Sequence, residues 1–143
     1  MISATVKKVR ANAGAADKLL AVLALSHWVA ASMERKLLDR QSAVQLRAEI
    51  GEIGERVLAR LDDPNDGQVR DALRRLIGEA MATLTEASVS LAPVISVETP
   101  QRLPAVVVSQ TLYGTAARAD ELAARNRASH QGMLPERLEA LAR

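Results

Sequence analysis

The 143-residue chain contains no cysteine. Disulfides, thiolate nucleophiles and zinc centres with sulfur ligands are therefore excluded. Phenylalanine is missing as well, and Trp28 and Tyr113 are the only aromatic residues. Base-stacking platforms, worth about 1–3 kcal/mol per base, have almost nothing to be built from, and the same shortage counts against a sugar platform. Uninterrupted apolar sequence is also scarce. The stretch from Leu19 to Leu25 and on to Val29–Ala31 is broken by Ser26 and His27 and is too short to span a bilayer. Lys7, Lys8 and Arg10 are not followed directly by the compact apolar run and cleavage site of a signal peptide. The expectation is a soluble protein without a membrane span.

Strong catalytic signatures are lacking too. Ser109, Thr111 and Ser129 stand in no Gly-x-Ser-x-Gly frame. Gly51 and Gly54 follow no strand and lack the Lys-Ser or third glycine of a phosphate loop. His27 and His130 lie in different segments, with no acidic cluster at ligand spacing beside them. His27 fits better at the border of a helical core beside Trp28, and His130 fits a loop. Glu49, Glu52 and Glu55 run along one predicted helix with Arg47, Arg56 and Arg60 nearby, as a solvated, paired face does. No catalytic, cofactor-binding or metal-ligating set is expected, and the chain is read as a non-enzyme.

The formal net charge is +2, distributed unevenly. Residues 1–14 carry Lys7, Lys8 and Arg10 and no acid, whereas residues 15–62 balance seven basic against seven acidic side chains. Beyond the N-terminus no basic stripe of the kind a phosphate backbone rewards is present. Residues 1–14 are read as a flexible tail that could touch DNA or a lipid headgroup.

Small and aliphatic residues are abundant. Apolar residues make up 48% of the chain, carried by Ala, Leu and Val, which suits helices packed closely through small side chains. Leu19, Val22, Leu23, Val29, Met33 and Leu37 recur on one predicted helical face. Asp39 or Ser42 can cap a second helix, in which Ala43, Leu46, Ile50, Ile53, Val57 and Leu61 step by three and four residues. Gly51 and Gly54 inside it each cost about 1 kcal/mol against Ala, so a close helix contact or a bend is expected there. Turn formers crowd 62–67, with Asn65 or Asp66 placed to cap a third helix. Val69, Leu73, Leu76, Ile77, Ala80 and Leu84 mark that helix. Short links between three helices predict an antiparallel three-helix bundle over residues 15–92.

The pattern changes at Pro93. Val94, Ile95 and Val97 predict a short strand closed by Pro100. Pro104 opens a helix that ends at Tyr113-Gly114, where glycine can adopt the left-handed conformation. A second short helix runs over Ala117–Asn126, and Gly132–Pro135 turns the chain toward Leu138–Leu141, readable as a returning strand or a terminal turn. The overall class is mainly α, a helical bundle followed by a small α+β (βααβ) module over residues 93–143.

That order, together with Val97, Leu103, Val107, Tyr113-Gly114, Leu122, Asn126, Pro135 and Leu138, resembles a LysM-like module. More specifically, Leu103-Pro104-Ala105, Leu112-Tyr113-Gly114, Ala119-Asp120-Glu121-Leu122, Ala124-Arg125-Asn126-Arg127 and His130-x-Gly132 resemble the C-terminal region of the Mu-like bacteriophage DNA circularisation proteins. Asp71-Ala72-Leu73-Arg74 resembles the helix that precedes the LysM-like part in that family. The resemblance implies a structural component of a phage tail or baseplate, incorporated in the virion after assembly in the host cytoplasm. Its implied partners are other tail subunits in a symmetric arrangement. Members of the family carry a further N-terminal domain, so the chain is expected to be a fragment or a shorter relative. The turn Glu98-Thr99-Pro100-Gln101-Arg102 departs from the Gly-Asp-Thr-like turn of LysM modules that bind peptidoglycan. A cell-wall module and a DNA-associated protein using residues 7–10 stand as alternatives. Candidate interface residues are Trp28, Arg118, Arg125 and Arg127, since Arg and Trp are favoured at protein contacts; ordinary surface arginines are the competing reading.

Overall fold

The computed structural model describes residues 4–128 and 133–142. Among them the chain is mainly helical, with five α-helices and one two-stranded antiparallel sheet. The order is α1 (Ala4–Met33), α2 (Arg40–Leu58), a 3-10 turn (Pro64–Asp66), α3 (Gly67–Ser90), β1 (Val94–Glu98), α4 (Ala105–Tyr113), a second 3-10 turn (Ala116–Arg118), α5 (Ala119–Arg125) and β2 (Arg137–Leu141). The chain divides into two compact units, one of Met1–Leu38 with Ser42–Ser90, the other of Leu91–Arg143 with the short segment Asp39–Gln41.

In the first unit the three- and four-residue spacing of the sequence becomes a shared core. Leu46, Ile50 and Val57 of α2 meet Leu73, Ile77, Ala80 and Leu84 of α3, while α1 contributes Leu25 and Val29. Burying each Leu, Ile or Val among them contributes about 1.5–3 kcal/mol relative to leaving it in water. The expected close approach falls at Gly54, where an added Cβ would lie 2.7 Å from Ile77 Cδ1. At Gly51 it would meet only Met81 Cε, at an ordinary 3.8 Å. The 3-10 turn that leads into α3 is capped by Asp63, whose Oδ1 accepts from Asn65 N at 2.8 Å. Asp66 is used otherwise, accepting from Lys18 Nζ at 2.8 Å.

Helix α1 departs most from the sequence reading. It starts at Ala4 and runs through Gly14, so residues 4–14 are helical. One glycine, at a cost of about 1 kcal/mol, does not break an alanine-rich helix. Leu25, Val29 and Ser32 are its buried residues, whereas Leu19 and Leu23, expected in the core, are 60% and 56% exposed. Because α1 is apolar on both faces, periodicity alone could not say which one packs. The uninterrupted apolar run is short, yet the helix that contains it is not: Lys7–Met33 spans 27 residues, long and apolar enough to cross a membrane by length and composition.

The second unit is built around the antiparallel pairing of β1 with β2, in which Val94 lies opposite Leu141, Ser96 opposite Glu139 and Glu98 opposite Arg137. The last apolar segment is thus a strand. Its alternation sends Leu138 and Ala140 inward, to pack with Ala105, Val108, Leu122, Ala123 and Leu134. Val97, Leu103 and Tyr113 pack at the edge of that cluster. Gly114 ends α4 at φ 72° and donates its N–H to Gln110 O at 2.9 Å, a left-handed stop that a Cβ would strain.

Candidate functional site

A two-stranded sheet has an unpaired edge on each side; in the second unit side chains meet two positions of the β2 edge and one of the β1 edge. Strands pair through alternate residues, so the register that places Ala140 and Leu138 against β1 turns the backbone groups of Glu139 and Leu141 outward. Asn126 meets the first of these. Its Oδ1 accepts from Glu139 N at 2.7 Å and its Nδ2 donates to Glu139 O at 2.9 Å. Tyr113 meets the second, its hydroxyl accepting from Leu141 N and donating to Leu141 O, both at 3.0 Å. On the far side Gln41 treats β1 in the same way, accepting from Val94 N at 2.9 Å and donating to Val94 O at 3.3 Å. Three side chains thus stand in for neighbouring strands, and such closure blunts edge-to-edge pairing with other chains.

Around this frame several charged side chains are paired within the unit. Arg118 lies over the Tyr113 ring, 3.9 Å from its centroid, and donates to both carboxylate oxygens of Glu121 at 2.8 and 3.0 Å. The Glu121 hydrogen bonds and charge, with the tyrosine beside it, raise the Arg118 pKa above its already high value. Arg125 Nη1 donates to Asp39 Oδ2 at 2.9 Å, with side chains only 13% and 9% exposed. Arg127 is exposed and adopts φ 49°, the left-handed region that closes α5. The three arginines proposed from sequence therefore have three different settings: a ring stack, a buried ion pair and a helix end. Trp28 belongs to the first unit, where it packs against the core and lines a cleft of about 410 Å³ with Ile53, Arg56 and Arg60.

The residues on which the resemblance was drawn gather in one place. Leu122 is fully buried, Val97 is paired opposite Leu138, Leu103 O accepts from Leu134 N at 2.8 Å, and half-buried Pro135 lies one residue on. Sequence reading missed Leu134, Gln41 and Asp39 as parts of this unit. The two latter are distant in the chain and carry no local signal of their partners.

Ser109 is fully buried and donates to Thr115 O at 2.6 Å, and Thr111 donates to Val107 O within its own helix at 2.9 Å. His27 is exposed on α1; Ser129 and His130 lie outside the described residues. Among the described residues no group of three or more His, Asp or Glu is placed to hold a metal ion. Compared with known proteins, the chain matches no family model and no curated protein.

Proposed function

We propose that the chain is a structural subunit of a phage or phage-derived tail or baseplate, acting through protein contacts rather than catalysis. In this reading residues 15–92 form an antiparallel three-helix bundle and residues 93–143 a LysM-like module. The observation that carries it is the joint use of Tyr113 and Asn126. These two residues of the resemblance converge on one strand and saturate alternate positions of its outer edge. A motif whose polar groups are spent on its own backbone serves to hold a shape, and held shapes suit subunits repeated by symmetry. The order β1–α4–α5–β2 and the left-handed Gly114 support the same reading.

Quantitative mass spectrometry of purified particles from the source tests it. A fixed copy number in a small multiple of three is expected, and absence of the chain from particles would remove the proposal. The βααβ order also favours one second reading, a module that binds peptidoglycan between the 98–102 turn and the segment after Asn126. Retention of the purified chain in a pellet of insoluble peptidoglycan at moderate salt would turn the assignment that way.

A further inference from the structure

Helix α1 carries a second apolar face that the fold leaves in solvent. Val9, Leu20 and Leu23 are 62%, 65% and 56% exposed, and Ala13 and Ala16 between them are exposed as well. These five positions are separated by four, three, four and three residues, and the same alternation continues through His27 and Ala30, both exposed. A repeat averaging 3.5 residues is the a/d seam of a coiled coil, and here it extends over about 30 Å of helix. At about 100° per residue it lies on the side of α1 opposite Leu25 and Val29, which face the core, so a docked helix would leave that core undisturbed.

We propose that the Val9–Leu20 part of this seam, about 17 Å of helix, pairs with the same part of a second copy of the chain, with the two α1 helices antiparallel. Charge decides the orientation. Arg10 and Asp17 occupy the same flanking heptad position one repeat apart, and in an antiparallel pair with Val9 opposite Leu20 each Arg10 faces the other copy's Asp17. Two reciprocal ion pairs result, as a two-fold interface requires. In a parallel pair Asp17 faces only Asn12, and no opposite charges meet. Ala13 and Ala16 then lie opposite one another in the antiparallel pair and allow close approach of the backbones. Asp17 also lies 3.6 Å from Arg60 of its own chain, with both side chains more than half exposed, loose enough to share.

A lipid bilayer is the competing occupant by length and composition, but the helix is held by charges in the middle of the candidate span. Lys18 Nζ bonds Asp62 and Asp66 at 3.0 and 2.8 Å. Withdrawal of α1 into a membrane would break those pairs and strip Leu25 and Val29 from the core.

This inference stands independently of the tail assignment and is tested on the full chain. Sedimentation velocity over a concentration series is expected to show a reversible dimer. Leu20→Glu with Leu23→Glu should leave a monomer of unchanged helical circular dichroism, since both sites are exposed. The cysteine-free background allows orientation to be read directly: mixing a Val9→Cys chain with a Leu20→Cys chain should give the mixed disulfide in excess of either homodimer. A monomer at every concentration, or a dimer that survives the double glutamate substitution, overturns the proposal. Preferential homodisulfides overturn its antiparallel geometry. Monomeric protein that pellets with vesicles of phosphatidylcholine and phosphatidylglycerol, and ceases to do so in the double variant, gives the face to lipid instead.

Discussion

Tyr113 and Leu141 exchange two hydrogen bonds through a single phenolic oxygen, one accepted from the backbone N–H and one donated to the backbone carbonyl, each 3.0 Å long. Tyr113→Phe keeps the ring against the core and under Arg118 but leaves both backbone groups without that partner. Leaving a buried polar group unmet costs about 1–3 kcal/mol. Urea denaturation should register a loss of that order, and amide exchange at Leu141 should accelerate more than at Leu138. Equal stability of the two proteins would show that water replaces the hydroxyl at no cost.

Arg125 and Asp39 form the most buried ion pair described in the chain, and removal of the aspartate takes the carboxylate away from a nearly buried guanidinium. Such truncations cost about 3–5 kcal/mol at fully buried sites. With a little exposure remaining here, Asp39→Ala should destabilise by somewhat less, about 2–3 kcal/mol. Replacing both residues together, as Asp39→Leu with Arg125→Met, should cost less than the two single changes added. Strict additivity in that double-mutant cycle would mean the pair has no coupling and the effect is packing alone.

The sequence was most legible where one physical constraint dominated. The Ala43–Leu46–Ile50–Val57 stripe had only one apolar face to bury, and Gly114 was a left-handed stop because no other residue nearby could serve. The βααβ order came from the β-branched run after Pro93 and the Tyr-Gly helix end. Legibility failed where two answers satisfied the same rule. Helix α1 has apolar residues on opposite faces, and the core takes Leu25 and Val29 instead of Leu19 and Leu23. It also failed where partners lie far apart: Gln41 meets Val94 at the start of the β1 edge from 53 positions away, and no local spacing announces a single glutamine. The residues behind the LysM-like resemblance were visible as a set, whereas the joint use of Tyr113 and Asn126 at the edge of β2 rests on long-range pairing that no local pattern carries.

The two glycines of α2 should respond oppositely to alanine. At Gly51 an added methyl meets ordinary space, so Gly51→Ala should gain about 0.5–1 kcal/mol from helix propensity. At Gly54 the methyl would lie 2.7 and 3.3 Å from two atoms of Ile77, itself buried. Overpacking of that kind costs about 1–3 kcal/mol, more than the propensity gain of about 0.5–1 kcal/mol. Thermal melts of the two variants should therefore fall on opposite sides of the parent, and a stabilised Gly54→Ala would mean that Ile77 has room to turn away.

Lys18 joins α1 to the turn before α3 by bonding both Asp66 and Asp62, and the pH dependence of this link has a definite sign. The Asp66 and Asp62 hydrogen bonds raise the Lys18 pKa, so its contribution is complete below the ordinary lysine value and is lost as pH rises through the raised one. The Lys18 hydrogen bond chiefly lowers the Asp62 pKa, so that contribution is complete above the ordinary carboxylate range and is lost as pH falls through the lowered value. Stability from the link should be level across neutral pH and decline at both extremes. Lys18→Met keeps an apolar stem and removes the charge. Its melting temperature should lie below the parent's near neutrality, and the gap should close as pH falls through the lowered Asp62 range, beneath the ordinary carboxylate value, or as salt is raised, since Asp62 is largely exposed and screened. A gap that persists unchanged in acid and in high salt would assign the effect to the packing of the lysine stem and not to its charge.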